Sequence, residues 1–188
     1  MSIITIATGK GGAGKTLIAR LILGRLAISG FTVTAIDTDP NRTLSDWVAT
    51  AAKQPITIRH ELDETRIVPL AAELTETHDA LVIDTARRPS RVPIAPSSAD
   101  VVEAIKTRNL VKSAALLLRK EVPARVILNS VQTGTNVSEH VEKEVAKAGL
   151  PPLPTRLHRL VAYQELSFTG IVPVTGRLAI NPQASLMM

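Results

Sequence analysis

Gly9-Lys10-Gly11-Gly12-Ala13-Gly14-Lys15-Thr16 stands between the apolar run Ile3 to Ala7 and an apolar-periodic segment that begins at Leu17. Strand, glycine-rich turn and helix, in that order, are the context in which G-x-x-x-x-G-K-[ST] reads as a phosphate-binding P-loop. Glycines let successive backbone N–H groups converge on phosphate oxygens with no side chain in the way. The helix that follows turns its partly positive N-terminus toward the same anion. In such a loop Lys15 neutralises the β- and γ-phosphates and the Thr16 hydroxyl holds Mg²⁺. The expected cradle is Gly11, Gly12, Ala13, Gly14, Lys15, Thr16 and Leu17. Gly9, Gly11 and Gly14 also spell G-x-G-x-x-G, the dinucleotide fingerprint, with Asp37 at roughly the ribose-binding distance. A dehydrogenase has no use for Lys15-Thr16 directly after the last glycine. A nucleoside triphosphatase does, because it must manage a γ-phosphate and a metal, so the triphosphate reading is preferred.

The chain has 188 residues, the length of one domain and enough to bury a real core. Aromatic residues make up 2% of it, so the core must be aliphatic. It has no cysteine, which excludes disulfides and thiolate metal sites and suits a reducing cytoplasm. His60, His78, His140 and His158 show no metal-ligand spacing. No apolar run approaches transmembrane length, and the N-terminus lacks a signal-peptide layout. The net charge is +5, and residues 99–188 hold 11 basic against 7 acidic side chains, compared with 11 and 10 in residues 1–98. That excess suits backbone contact with nucleic acid or a generic solvated surface.

Ile3 to Thr8 reads as a buried strand. Leu17, Ile18, Leu21, Ile22 and Leu26 recur at helical spacing, with a stop at Ser29-Gly30. A second strand runs from Phe31 to Ile36 and ends at Asp37. These three elements form a βαβ unit and imply a parallel sheet. Leu44 to Ala52 reads as a short helix whose Trp47 belongs to a core or a dimer surface. Ile56 to Ile58 reads as a strand. Residues 64–77 read as helical, with Pro69 expected to start or kink the helix rather than lie within it. Leu81 to Ala86 is an apolar strand carrying Asp84. Ser98-Ala99-Asp100 opens a helix continued by Val101 to Leu118. Arg125 to Asn129 reads as a strand, Val137 to Ala148 as an amphipathic helix, and Leu150 to Pro154 as a short strand. The expected fold is a single α/β domain over 1–188, a mostly parallel sheet flanked by helices, with about 171–188 a frayed tail.

Lys10, in the order Lys-Gly-Gly-x-Gly-Lys-Thr, resembles the deviant Walker A motif of the ParA/MinD family. Taken alone, Lys10 could equally be a solvated loop charge. The resemblance implies that it crosses a nucleotide-sandwich dimer to the partner subunit's phosphates. Asp37-Thr38-Asp39-Pro40-Asn41 resembles the D-x-D-P-Q segment of ParA proteins, with Asn41 where glutamine is commoner. The family then implies that Asp39 orients the attacking water and Asp37 supports the Mg²⁺ shell. A plain turn at Asp39-Pro40, with Asp37 as a cap, explains the same residues. Leu81-Val82-Ile83-Asp84-Thr85-Ala86 resembles the Walker B strand and the D-T-A of ParA relatives, which gives Asp84 to Mg²⁺ through water. Asn129 is placed like the asparagine near the adenine in many relatives, and a capped turn would also account for it. Arg156, Arg159 and Arg177 are the candidate contacts to a DNA backbone.

The resemblance implies a partition ATPase, in which ATP and Mg²⁺ drive a homodimer that binds DNA without sequence preference. Hydrolysis, stimulated by a ParB-like adaptor, would release it from a cytoplasmic nucleoid. After D-T-A, relatives continue with glycine, a helix and a strand before a proline-containing loop. Here Ala86 runs through Arg87-Arg88-Pro89-Ser90-Arg91 directly to Val92-Pro93-Ile94-Ala95-Pro96-Ser97, so about one helix and one strand, on the order of twenty residues, are missing. In relatives that switch region senses the γ-phosphate and helps form the dimer. Its loss admits a non-hydrolysing nucleotide switch as the alternative. A MinD-like membrane ATPase needs a C-terminal amphipathic helix. Ala179 to Met188 does not supply one, so no stable membrane association is expected. A biosynthetic P-loop ligase of related fold would need a substrate-side motif, and none is visible.

Overall fold

Every strand pairing among the described residues is parallel. The computed structural model describes residues 2–8, 12–50, 52–86, 98–119, 122–131, 136–150, 152–158 and 161–173. In chain order the elements are β1 (Ser2–Ile6), α1 (Lys15–Ile28), β2 (Val33–Asp37), α2 (Thr43–Thr50), β3 (Ile56–His60) and α3 (Glu64–Thr75). They continue with β4 (Ala80–Asp84), α4 (Ser98–Leu118), β5 (Val126–Val131), α5 (Asn136–Lys147), β6 (Pro152–His158) and α6 (Val161–Thr169).

β1 to β4 form one sheet in the order β1-β4-β2-β3, and β5 pairs with β6 in a second sheet. The central strands β2 and β4 are buried throughout, as their unbroken apolar runs require. Strand alternation sends Val33, Ala35, Ala80 and Val82 to one face, where Ile18, Ala19, Leu21 and Leu23 of α1 pack on them. It sends Ile36, Leu81 and Ile83 to the other, against Ala71 and Leu74 of α3. The α1 cluster also takes in Leu44 and Trp47 of α2, Leu157 of β6, and Tyr163 and Leu166 of α6. Thus α1 is a pillar with apolar neighbours on several sides. Each of its fully buried leucines stabilises the fold by roughly 1.5–3 kcal/mol. A third cluster joins Val101 of α4, Leu128 of β5, and Val141 and Val145 of α5.

Pro69 lies inside α3 and not at its start. Proline there removes the donor to the carbonyl of Thr65. Both residues are exposed, so water satisfies that carbonyl and the helix tolerates the loss. The last strand is longer than its apolar residues suggest, and Arg156 belongs to it. Trp47 is core: its Nε1–H donates to the Leu166 carbonyl at 3.0 Å. Among the described residues no helix is long and apolar enough to cross a membrane.

Candidate functional site

The strand register brings the candidate residues to one edge. Ile6 pairs with Asp84, Asp84 with Asp37, and Asp37 with His60, so β1, β4, β2 and β3 end flush. The parallel register and the alternation place Asp37 and Asp84 on the face that carries α1. Open parallel sheets take their ligands at this carboxyl edge.

α1 opens on Gly14, whose φ of 85° and ψ of 20° are left-handed and leave the helix without a side-chain cap. The N–H groups of its first turn therefore have no intrahelical acceptor, and no acidic residue occupies that turn. A helix end of this kind suits an anion. Lys15 is buried at the helix start. Gly12 has a φ of 75°, which a glycine holds without strain. Lys10 and Gly11 lie outside the described residues.

Asp37 is fully buried and fully engaged. One oxygen accepts the Asp39 N–H at 3.0 Å. The other accepts the Ser45 N–H at 2.9 Å and the Ser45 hydroxyl at 2.8 Å. It ties the end of β2 to the first turn of α2 and shapes the turn between them. Asp39 Oδ1 accepts the N–H and the side-chain Nδ2–H of Asn41, both at 2.9 Å. Its carbonyl accepts the Arg42 N–H at 2.9 Å and lies 3.0 Å from His60 Nε2.

Asp84 differs from both. It is 1% exposed, and neither carboxylate oxygen meets the geometry of a hydrogen bond. Burial pushes its pKa up to about 6; the nearby Thr16 hydroxyl and Lys15 oppose that shift, and Asp37 and Asp39 add to it. An orphaned buried carboxylate beside a threonine hydroxyl at a helix N-terminus suits a hard divalent cation. Mg²⁺ needs only one or two protein oxygens when phosphates and water complete its shell. Thr16 and Asp84 therefore fit the metal, and Asp37 acts through the turn it holds.

Three residues that the sequence did not single out complete the edge. The Thr38 hydroxyl donates to the Asp84 carbonyl at 3.2 Å and accepts the Ala86 N–H at 2.6 Å, which locks the end of β4 to that of β2. Ser45 holds Asp37 as described. Arg20, buried one turn beyond Thr16, donates to Ser167 Oγ at 2.7 Å and to the Thr43 carbonyl at 2.9 Å. Its guanidinium lies 5.6 Å from the centre of the Trp47 ring. Burial lowers its pKa, and Asp84 and Asp37 counteract this. The only sequence signal for Arg20 was a cation on the apolar face of α1.

Asn129 ends at the loop: its Nδ2–H donates to the Ala13 carbonyl at 2.8 Å. A cavity of about 260 Å³ lies alongside, lined by Leu17, Asn129, Ser130, His158, Tyr163 and Gln164, with Ser167. Arg156 is half-exposed on β6 and ion-paired with Glu142. Arg159 and Arg177 lie outside the described residues.

With this geometry in hand, residues 4–174 match the family model described as the CobQ/CobB/MinD/ParA nucleotide binding domain. The maintenance of carboxysome distribution protein A of Halothiobacillus neapolitanus is 26% identical over 89% of this chain and 84% of its own length. Protein ParA of Rhizobium radiobacter is 25% identical over 88% of this chain and 82% of its own. A variant of Cyanothece McdA, solved as a complex with ATP, superposes with a TM-score of 0.66 at 16% identity, covering 100% of this chain and 94% of that one. The family match spans most of the chain, and the chain belongs to the CobQ/CobB/MinD/ParA family of nucleotide-binding domains.

Proposed function

We propose that the chain is a partition or positioning ATPase of the ParA kind, in which bound ATP favours a homodimer that holds DNA through its phosphate backbone. One observation carries the nucleotide half of this reading. The N-terminus of α1 without a side-chain cap, buried Lys15 and the unpaired Asp84 lie at one edge. Two negative species, a carboxylate and a polyphosphate, sit stably together there only with cations between them.

Each residue has a role in that reading. The cradle residues Gly11, Gly12, Ala13, Gly14, Lys15, Thr16 and Leu17 receive the phosphates, and Lys15 and Lys10 neutralise them. Thr16 and Asp84 hold Mg²⁺, which when bound offsets the charge on the β- and γ-phosphates. Asp39 orients the attacking water, and Asp37 holds the turn that aims it. The cavity beside Asn129 receives the base. Hydrolysis would need little beyond positioning and charge neutralisation. Arg156, Arg159 and Arg177 supply cations for DNA, and an adaptor of the ParB kind would trigger release.

Calorimetry with ATP and Mg²⁺ tests the first half. Binding should occur and be lost in Lys15→Ala. DNA retention should require ATP and fall steeply as salt rises; retention indifferent to salt rejects the DNA role. A non-hydrolysing switch is the second reading, favoured by Arg87 in place of glycine and the shortened segment after Asp84. Phosphate release in a single-turnover assay separates the two.

A further inference from the structure

We propose that Asn129 is a positioning residue of the phosphate loop: it fixes the Ala13–Gly14 peptide plane. The inference rests on the triphosphate reading above and names the residue that sets the loop for it. Asn129 stands 116 residues from Ala13 in the chain, yet its Nδ2–H donates to the Ala13 carbonyl at 2.8 Å. Its Oδ1 accepts the Ser130 N–H at 2.9 Å. One acceptor and one donor on either side of the amide allow only this orientation of the group.

The backbone is built to deliver that side chain. The pairing of β5 with β6 is irregular between Asn129 and Val131, and Ser130 takes a φ of 58°. An irregularity of this kind re-aims a side chain, and a left-handed serine persists only where its surroundings hold it. On the other side the loop is fitted to Asn129. A Cβ on Gly14 would crowd Asn129 Nδ2 and make that amide shift. Gly14 also holds its φ of 85° without strain.

The consequence follows from peptide geometry. In a trans peptide the C=O of Ala13 and the N–H of Gly14 point in opposite directions. With the carbonyl held against Asn129, the Gly14 N–H is turned away from β5. A flipped plane would aim the partly negative carbonyl where the loop is to receive an anion. Asn129 prevents that flip. With one Nδ2–H held by the loop and Oδ1 held by Ser130, the amide contributes to phosphate affinity.

The experiment uses a probe that has phosphates and no base. Dissociation constants for ATP and for inorganic tripolyphosphate, each with Mg²⁺, are measured for the wild type, Asn129→Ala and Asn129→Leu, well below each melting midpoint. Asn129→Leu keeps the branched shape of the amide, loses the donor and adds no charge beside the loop, so it serves if the alanine variant does not fold. Both variants should weaken ATP and tripolyphosphate by the same factor, about tenfold for one lost hydrogen bond. A loss confined to ATP overturns the inference and makes Asn129 a base reader. Unchanged affinity for both probes also overturns it. If the wild type binds neither probe, the triphosphate reading fails and takes the inference with it, whereas binding by the wild type with loss in Lys15→Ala keeps the two questions separate.

Discussion

Asp84 is the residue at which stability and function oppose each other. Its pKa is about 6 in the folded chain against 3.8 for an ordinary aspartate. The folded state therefore holds this proton more tightly than the unfolded one, and the metal-free protein loses stability as pH rises through about 6. The full effect is roughly 3 kcal/mol. Asp63, Asp79 and Glu144 have lowered values, so their contributions are lost only as pH falls below the usual carboxylate range. Asp84→Asn should accordingly raise stability at pH 7.5 in chelator by ~1–3 kcal/mol and flatten the dependence between about pH 4 and 6. Urea unfolding across that range checks it; an asparagine variant less stable than the wild type at pH 7.5 contradicts it. The same variant should lose Mg²⁺-dependent nucleotide binding. The aspartate itself is legible as the end of an apolar strand. Its lack of a partner is not, because that depends on what the neighbouring strands leave unpaired.

At the scale of elements, α1 carries a buried cation whose partners lie on two other helices. Arg20→Met removes the donors to Ser167 Oγ and to the Thr43 carbonyl, and the cation over Trp47. It also leaves Asp84 and Asp37 with less compensating charge. We expect a loss of ~2–4 kcal/mol in urea unfolding, only partly recovered by Arg20→Lys, which cannot span both acceptors with a planar fork. α3 offers a change of opposite sign. Pro69→Ala restores the donor to the Thr65 carbonyl in an exposed turn. The helix gains more than the roughly 0.4–1 kcal/mol that the freer unfolded chain takes back. A net gain of ~1–2 kcal/mol is expected, seen as a higher urea midpoint with unchanged slope. Both elements were visible from apolar periodicity. The tolerance of Pro69 was not, since it rests on exposure, and neither was the reach of Arg20 across 147 residues to Ser167.

For the whole molecule, the first strand is the point of weakness. β1 ends the four-stranded sheet, and among the described residues nothing pairs with its outer edge. Ile3 shares the face of Leu81 and Ile83 but lies outside the cluster that α3 covers, and it is 54% exposed. An open apolar edge strand is a template for pairing with another chain. Ile3→Lys should therefore reduce concentration-dependent self-association in sedimentation velocity while changing stability by less than about 1 kcal/mol. Self-association undiminished by the charge would place the contact elsewhere. The resemblance to the family implies that about one helix and one strand are missing after Asp84. Where that leaves the sheet is a matter of pairing: β5 joins β6 in a second sheet, held to α1 through Leu157, Tyr163 and Leu166.

What the sequence determined by itself is what neighbours in the chain encode. The glycine pattern from Gly9 to Thr16, the βαβ periodicity from Ile3 to Asp37 and the apolar strand ending at Asp84 each state a local conformation, and together they point to the nucleotide-binding family. Only the tertiary structure decided that Asp37 is spent on Ser45 and Asp39, that Asp84 is left unpaired, and that Asn129 closes on Ala13. Dihedral preference and amphipathic period are properties of a few consecutive residues. Desolvation and hydrogen-bond partnership are set by segments a hundred residues apart, and no local pattern records which groups those segments will leave for a ligand.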